Sequence, residues 1–223
     1  PVDLMLVMDE SGSIGPDNFQ KMKIFARDLL RNFKIGPYDM RVAVIKFSTS
    51  ADRVFNFYTY LSFEDISAAL LNIAYVGGGT NTAEALRLAR KTTIHRRQNA
   101  VTAAIVLTDG KSFNEEITSQ EAQHLKNDTG TKVFSVGIGN YISMRELRSI
   151  ASTPESQYLI TTSNFNELYN KVQQFISGLC RGKLIETFYR VPNALKYIER
   201  NFSHMYEFTC IINDFCFYCF RRR

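Results

Sequence analysis

The fold is decided by the stretch Val2–Ser13, which reads VDLMLVMDESGS. Its first seven residues form a nearly unbroken apolar run, which is typical of a parallel strand buried on both faces. The run stops at Asp9, and one carboxylate and two hydroxyl groups then follow at alternate positions, on Asp9, Ser11 and Ser13. In an open α/β sheet, ligands bind in the crevice beyond the carboxyl ends of the strands. We therefore take this turn as a candidate ligand-binding loop.

Two more polar residues are expected at the same edge of the sheet. Thr80 follows the glycines 77–79 and precedes a predicted helix, while Asp109 ends the apolar run 103–108 and precedes Gly110. Hard oxygen donors of this kind suit a small hard cation such as Mg²⁺ better than zinc or copper. The sequence predicts a Mg²⁺ site, open also to Mn²⁺ or Ca²⁺, with the ligand set Asp9, Ser11, Ser13, Thr80 and Asp109.

Each of these residues also has an ordinary structural explanation. Ser11 and Ser13 are suitable caps for the helix that follows, and Asp109 before Gly110 is suitable for a simple turn. Thr82 is predicted to cap the helix after the glycines. The metal site is favoured because five such residues meet at strand ends in one chain.

At these five positions the chain closely resembles the von Willebrand factor type A domain, the family that includes the integrin inserted domain. The family pattern is Asp-x-Ser-x-Ser, a distant Thr and a distant Asp before Gly, called the metal-ion-dependent adhesion site. The resemblance covers about residues 2–179. It implies that Ser11, Ser13 and Thr80 bind the metal directly, and that Asp9 and Asp109 often act through water.

The resemblance also implies a function. One water on the ion would give way to an Asp or Glu carboxylate of a partner protein, so the chain is expected to be an adhesion or extracellular-matrix binding module and not an enzyme. Glu10, whose position varies in the family, is expected near the rim of the site, where it would repel an acidic ligand. Two alternatives stay open: a structural matrix or assembly domain with a purely stabilising ion, and an intracellular type A domain of a multiprotein complex.

The rest of the chain alternates predicted helices and strands, which indicates a doubly wound, mostly parallel α/β sheet with one antiparallel edge strand and helices on both faces. The predicted helices are 16–33, 63–73, 82–93, 115–127, 143–151 and 165–177. The predicted strands are 2–8, 40–47, 51–57, 100–108, 132–138 and 157–160. By resemblance, the helix 165–177 is the one whose movement is coupled to metal coordination in integrin inserted domains.

Composition and charge narrow the class of partner. The chain has 223 residues, 45% of them hydrophobic and 22% charged, as in ordinary globular domains. Residues 181–223 hold eight Lys or Arg and four Asp or Glu, a net +4 of the total +5, so residues 1–180 carry only +1. A nearly neutral domain argues against nucleic acid as the partner. No apolar run is long enough to span a membrane, and the oligomeric state stays open.

The end of the chain is predicted to differ from the rest. We expect a type A domain at residues 1–180 and a C-terminal extension of unknown fold at 181–223. All four cysteines, Cys180, Cys210, Cys216 and Cys219, lie at or beyond that boundary. This pattern fits a disulfide-bearing extension of an extracellular protein, and reduced cysteines in a cytosolic protein stay open as the alternative. No signal peptide precedes Pro1, so we expect an excised piece of a longer chain. By resemblance, Cys180 would pair with a cysteine before the first strand, and it is expected to lack its partner here.

Rival motifs are incomplete. An aspartyl phosphotransferase would need a second acid where Ser11 stands, and a phosphate-binding loop would need a Lys after the glycines 77–79. The segment Val136–Ile142 lacks the third glycine of a dinucleotide fingerprint. Two Asn-x-Ser/Thr glycosylation acceptor sequences remain, at residues 127–129 and 201–203.

Overall fold

The computed structural model describes residues 1–171, in which strands and helices alternate. The strands are β1 (Val2–Asp9), β2 (Met40–Phe47), β3 (Ala51–Phe55), β4 (Val101–Thr108), β5 (Lys132–Ile138) and β6 (Leu159–Thr162). The helices are α1 (Gly15–Leu30), α2 (Phe63–Leu71), α3 (Thr82–Thr92), α4 (Glu115–Thr129), α5 (Met144–Ile150), α6 (Glu155–Tyr158) and α7 (Phe165–Asn170). A short 3₁₀ turn, Thr93–His95, follows α3. Within residues 1–171 we find no helix that combines the length and the apolar character needed to cross a bilayer.

The six strands form one sheet in the order β3-β2-β1-β4-β5-β6. All neighbouring pairs are parallel except β2 and β3, which are antiparallel and place β3 at one edge. The predicted doubly wound, mostly parallel sheet with a single antiparallel edge strand is confirmed. Because β1 lies between β2 and β4, the chain reverses its direction of winding beside β1, which is where α/β sheets bind ligands.

Helices cover both faces of the sheet. Successive side chains of β1 point to opposite faces, so Leu4 and Leu6 join one hydrophobic cluster and Met5 and Val7 join the other. The first cluster includes residues of α1, α2 and α7, and the second includes residues of α3, α4 and α5. All eight residues of β1 are buried. Burial on both faces explains why the strand is a continuous apolar run without polar alternation.

A buried ion-pair cluster anchors the beginning of β1. The carboxylate of Asp3 has no exposed surface and lies 2.8 Å from a guanidinium nitrogen of Arg41 and 2.7 Å from one of Arg97. Burial alone would raise the pKa of Asp3, but hydrogen bonds from Arg41 and from the backbone and side chain of Arg97 outweigh it and lower the pKa below 3.8. The cluster ties β1 to β2 and to the segment before β4, at the edge of the sheet where the parallel strands begin.

Several predicted boundaries differ from the observed ones, chiefly near the end of the domain. The strand predicted at 157–160 lies at Leu159–Thr162 and is preceded by the short helix α6, which the sequence analysis missed. The described part of α7 ends at Asn170. Several predictions fall outside the described residues. They are the end of that helix at Ser177, the four cysteines and the extension 181–223.

Candidate metal centre

The two aspartates of the predicted site follow adjacent strands. β1 and β4 pair in parallel, with Met8 opposite Leu107, so Asp9 and Asp109 leave the sheet at the same edge. The loop between α2 and α3, which carries Thr80, joins them through the hydrogen bond from Gly12 N to Gly78 O, 2.8 Å long. The sheet thus brings together three loops that lie far apart in sequence.

Three of the five predicted side chains are linked directly. Ser13 Oγ donates a 2.8 Å hydrogen bond to Asp109 Oδ1, and the hydroxyl oxygens of Ser11 and Ser13 are 3.1 Å apart. Tyr75 Oη donates a 3.1 Å hydrogen bond to the carbonyl oxygen of Ser11 and so supports the same turn. The hydroxyl groups therefore face each other and Asp109 rather than solvent alone.

Asp9, the last residue of β1, is fully buried. Its Oδ1 accepts a 2.8 Å hydrogen bond from Ser11 N, and its Oδ2 accepts a 2.6 Å hydrogen bond from Thr108 Oγ1. Thr108 was predicted only as part of the buried strand and not as a residue of the site. The signal that could have found it is its place directly before Asp109 at the end of that strand.

The explanation of the two serines as helix caps is wrong. The residue in the cap position of α1 is Ile14, which makes no side-chain capping bond, and Pro16 follows in the first turn. Proline has no N–H group, so this helix start needs fewer capping acceptors. The hydroxyls of Ser11 and Ser13 are consequently available to the site at the sheet edge.

Thr80 is held at the site by its backbone. Its carbonyl accepts a 3.0 Å hydrogen bond from Phe113 N, and its side chain is mostly buried. Among residues 1–171 its hydroxyl group has no hydrogen-bond partner, so the structure places Thr80 beside the network without joining its side chain to it. The predicted cap of α3 is corrected: Asn81, not Thr82, caps the helix, accepting from Glu84 N.

Two glycines let the Thr80 loop lie close to its neighbours. Gly78 has φ +118°, and a Cβ there would lie 2.8 Å from Thr49 Oγ1. A Cβ on Gly79 would clash with the ring of Phe113. A side chain at position 78 would therefore meet both strain and a clash, so this glycine is required for the loop to reach the site.

The electrostatics of the site favour a cation. Burial and, to a smaller extent, the negative charge of Asp109 raise the pKa of Asp9 to about 6, although hydrogen bonds from Thr108 and Ser11 oppose the shift. Burial likewise raises the pKa of Asp109, although the hydrogen bond from Ser13 opposes this. Two carboxylates that are both poorly solvated destabilise each other's charge. A divalent cation between them would offset that cost.

Glu10 does not occupy the position expected of it. Its side chain is 3% exposed, and its carboxylate lies 3.0 Å from Lys46 Nζ on β2. The same carboxylate accepts a 3.3 Å hydrogen bond from Val76 N. The expectation that Glu10 repels an acidic ligand at the rim is wrong, because its charge is buried and paired with a lysine.

The donor set is rich in oxygen. Among residues 1–171, we find no cluster of three or more His, Cys, Asp or Glu side chains that could ligate a metal. The groups that converge are instead hydroxyls and two carboxylates, which suit a hard cation of charge +2 that keeps part of its water shell. The residues therefore fit a hard divalent cation such as Mg²⁺, Mn²⁺ or Ca²⁺, to which Ser11 and Ser13 would offer neutral hydroxyl oxygens.

Exposed apolar side chains lie around this edge of the sheet. Val76, beside the Thr80 loop, is 71% exposed, and Phe113, beyond Asp109, is 64% exposed. Tyr141, in the loop after β5, is 87% exposed. We call Val76, Phe113 and Tyr141 the apolar rim. Large apolar groups that surround a polar centre are a common feature of binding surfaces.

Comparison with known proteins identifies relatives of the chain. The family model of the von Willebrand factor type A domain matches residues 3–175. The human collagen alpha-1(XXI) chain is 31% identical over 204 residues, which cover 91% of this chain and 21% of that protein. Mouse cochlin is 29% identical over 182 residues, covering 81% of this chain and 32% of cochlin. The chain thus spans about a fifth to a third of these curated relatives.

Solved structures give the same result. Proximal thread matrix protein 1 of the mussel byssus is similar with a TM-score of 0.71 and 30% identity, over 77% of this chain and 44% of that one. A second structure of that protein, with a TM-score of 0.70, has a zinc-occupied metal-ion-dependent adhesion site. That ion is zinc, so the likeness supports a divalent cation without selecting Mg²⁺.

Proposed function

The chain belongs to the von Willebrand factor type A domain family, and from this premise we propose that it is a divalent-cation-dependent protein-binding module of the extracellular matrix, and not an enzyme. The observation that carries the proposal is the Ser13–Asp109 hydrogen bond of 2.8 Å, which joins the first and third loops of the site at the edge of the sheet. Asp9, Ser11 and Thr80 complete the proposed ligand set.

Each residue has a separate task in this proposal. Ser11, Ser13 and Thr80 offer hydroxyl oxygens to Mg²⁺, while Asp9 and Asp109 orient hydroxyl groups and bound water. Thr108 holds Asp9 in place by donating to its Oδ2. The bound ion would supply an open position for an oxygen of the partner. Because three donors are neutral, much of the positive charge would be left for a carboxylate.

The proposed partner is a protein that presents an Asp or Glu carboxylate together with apolar side chains. The carboxylate matches the cation, and the apolar rim of Val76, Phe113 and Tyr141 offers contacts around it. The buried pairing of Glu10 with Lys46 supports an acidic partner, since it removes a repelling charge from the rim. Aromatic groups at the centre of an interface commonly supply much of its affinity.

An extracellular location is supported by the relatives. Collagens and a byssus matrix protein belong to the extracellular matrix, and both are similar to this chain over most of its length. Residues 172–223, which hold all four cysteines, lie outside the described part, so the proposed disulfides remain predictions. The same holds for a switch in the last helix.

A structural role for the ion is the second candidate, favoured by a specific observation. The three loops are already joined by hydrogen bonds from Gly12 N to Gly78 O and from Phe113 N to Thr80 O. A cation among such loops could serve chiefly to stabilise them, as in an assembly domain without a ligand at the metal.

One experiment separates the two candidates. The chain is immobilised and exposed to a soluble matrix extract in the presence of Mg²⁺ or of a chelator, and its melting temperature is measured under the same conditions. The binding proposal predicts retained proteins only with Mg²⁺, and none with the variant Asp109→Asn. Asp52→Asn, which removes an exposed carboxylate on β3, is the matched control. If the same proteins are retained with Mg²⁺ and with the chelator, while Mg²⁺ raises the melting temperature, the structural role is supported instead.

A further inference from the structure

An acceptor sequence for N-linked glycosylation, Asn127-Asp128-Thr129, lies in the last turn of α4. We propose that Asn127 is a glycosylation site and carries an oligosaccharide in the secreted protein. This inference rests on the extracellular location in the proposed function, but not on the metal site.

The folded structure has room for a glycan at this position. Asn127 is exposed, and among residues 1–171 its side-chain amide has no hydrogen-bond partner. Beside it an open hollow of about 350 Å³ is lined by polar residues, among them Gln123, Thr131, Ser152 and Thr153. Gly130, the residue after the acceptor sequence, has φ +69° and open space where a side chain would lie. A first sugar attached to Asn127 can rest over this hollow without displacing buried side chains.

The geometry of α4 indicates when the sugar is attached. Residues two apart on a helix are about 200° apart around its axis, so Asn127 and Thr129 point in different directions. The Thr129 hydroxyl is also hydrogen-bonded within the fold. It donates a 2.5 Å hydrogen bond to Leu125 O and lies 2.6 Å from Thr131 Oγ1. In an extended chain the two side chains share one face and both are free. The transferase therefore reads the acceptor before α4 forms, during entry into the secretory pathway.

The transfer itself needs one co-substrate, an oligosaccharide linked to a polyprenyl diphosphate. Asn127 Nδ2 attacks C1 of the first sugar, and the bond between C1 and the diphosphate oxygen breaks as the new N–C bond forms. The diphosphate leaves with the bonding electron pair. The amide proton passes to a basic carboxylate of the membrane-bound transferase.

The place of Asn127 leaves the metal centre uncovered. α4 begins just beyond the Asp109 loop and runs back along the sheet, so its last turn lies at the edge where the parallel strands begin. Asn127 is twelve residues into the helix, which amounts to about 18 Å along its axis. A glycan there would shield the C-terminal end of α4 and the start of β5, while the apolar rim stays open to a partner.

The test uses the full 223-residue chain behind a cleavable signal sequence in a eukaryotic cell, in an Asn201→Gln background that removes the other acceptor sequence. Both the secreted and the cell-retained protein are treated with peptide N-glycosidase, which releases the glycan and leaves Asp in place of the modified Asn. We expect the untreated protein to migrate more slowly, and the peptide that contains residue 127 to show Asp after treatment.

Three variants complete the test. Asn127→Gln and Thr129→Ala should abolish the shift, whereas Thr129→Ser, which keeps the hydroxyl, should retain it. If the Asn201→Gln protein shows no shift in either fraction, the inference is overturned. A Mg²⁺ titration of the same samples distinguishes the two proposals. A protein that lacks the glycan but binds Mg²⁺ normally contradicts only the glycosylation site. A protein that carries the glycan but does not bind Mg²⁺ contradicts only the metal centre.

Discussion

Ser13 and Asp109 are 96 positions apart in the chain, yet Ser13 Oγ lies 2.8 Å from Asp109 Oδ1 and donates a hydrogen bond to it. The contact exists because β1 and β4 are adjacent parallel strands, so the loops that follow them emerge side by side. It connects the hydroxyl pair of the first loop to the carboxylate of the third. Every proposal about metal binding depends on this junction.

Replacing Asp109 by Asn should remove the negative charge of this side chain while nearly keeping its size and shape. We expect the affinity for Mg²⁺ to fall by about 10- to 100-fold or more, the usual effect of losing a residue that orients metal ligands. The chain should stay folded, because the residue lies on a loop beyond the sheet. Calorimetric titration with Mg²⁺ checks this, with Asp52→Asn as the control. Unchanged affinity in Asp109→Asn would remove this residue from the site.

Thr108 should matter for the metal although it is not among the predicted ligands. Thr108→Val keeps the volume but removes the hydroxyl that donates 2.6 Å to Asp9 Oδ2. Asp9 then loses a hydrogen bond that holds its orientation, and we expect Mg²⁺ affinity to fall by about 10-fold or more. Thr102→Val, at another buried threonine of β4, is the matched control and should bind Mg²⁺ normally. Equal affinities of the two variants would contradict this role of Thr108.

Gly78 should be needed both for stability and for the metal. Gly78→Ala places a Cβ 2.8 Å from Thr49 Oγ1 at φ +118°, and we expect it to cost about 1–3 kcal/mol of unfolding free energy. Because the loop carries Thr80, Mg²⁺ affinity should fall as well.

The control for Gly78 is Gly130→Ala. Gly130 also has a positive φ, +69°, but nothing lies near its missing Cβ and it is at the opposite edge of the sheet. Urea unfolding should show a loss of about 1 kcal/mol for this control, with unchanged Mg²⁺ affinity. If both variants lose stability and neither loses affinity, the loop does not need Gly78 to hold the site.

Stability should depend on acid through Asp3. The pKa of this carboxylate is lower in the folded chain than the ordinary 3.8, so the folded state gains from its ionisation. That gain is complete above pH 3.8 and is lost as the pH falls through the lowered folded pKa. Asp3→Asn should therefore destabilise the chain by about 3 kcal/mol at pH 7, because Arg41 and Arg97 lose their buried partner.

The difference between Asp3→Asn and the wild type should shrink as the pH falls well below 3.8, where Asp3 is protonated in both states of the wild type. Urea unfolding at a series of pH values measures it. A difference that stays the same from pH 7 down to the acid limit would show that the ion pairs are not its source.

The architecture could be predicted from the sequence because most of its strands and helices are long enough to show a clear hydrophobic pattern. Buried parallel strands such as β1 and β4 are continuous apolar runs, and the helices between them carry regular apolar spacing. Short elements gave no such signal. The four-residue helix α6 and the strand β6 after it are too short for either periodicity to be distinguished, so their boundaries were misplaced.

At the candidate site, the sequence identified residue types but not their partners. Glu10 was expected near the rim of the site as a charge that repels acidic ligands. Its partner Lys46 is 36 positions away on β2, so the local sequence contains no sign of the pairing. Thr82 was predicted as a cap although Asn81, directly before it, has the required backbone position. Such choices depend on tertiary contacts and on the exact path of a turn, which local sequence does not specify.

The most direct test of the metal centre is to locate the bound ion. Mn²⁺ broadens NMR signals of nearby nuclei, so a titration of the isotope-labelled chain with small amounts of Mn²⁺ maps its position. We expect the backbone amide signals of Ser11, Ser13, Thr80 and Asp109 to broaden first, to recover on addition of excess Mg²⁺, and those of Asn127 and Thr131 to be unaffected. Broadening centred elsewhere, or spread evenly over the chain, would contradict the account.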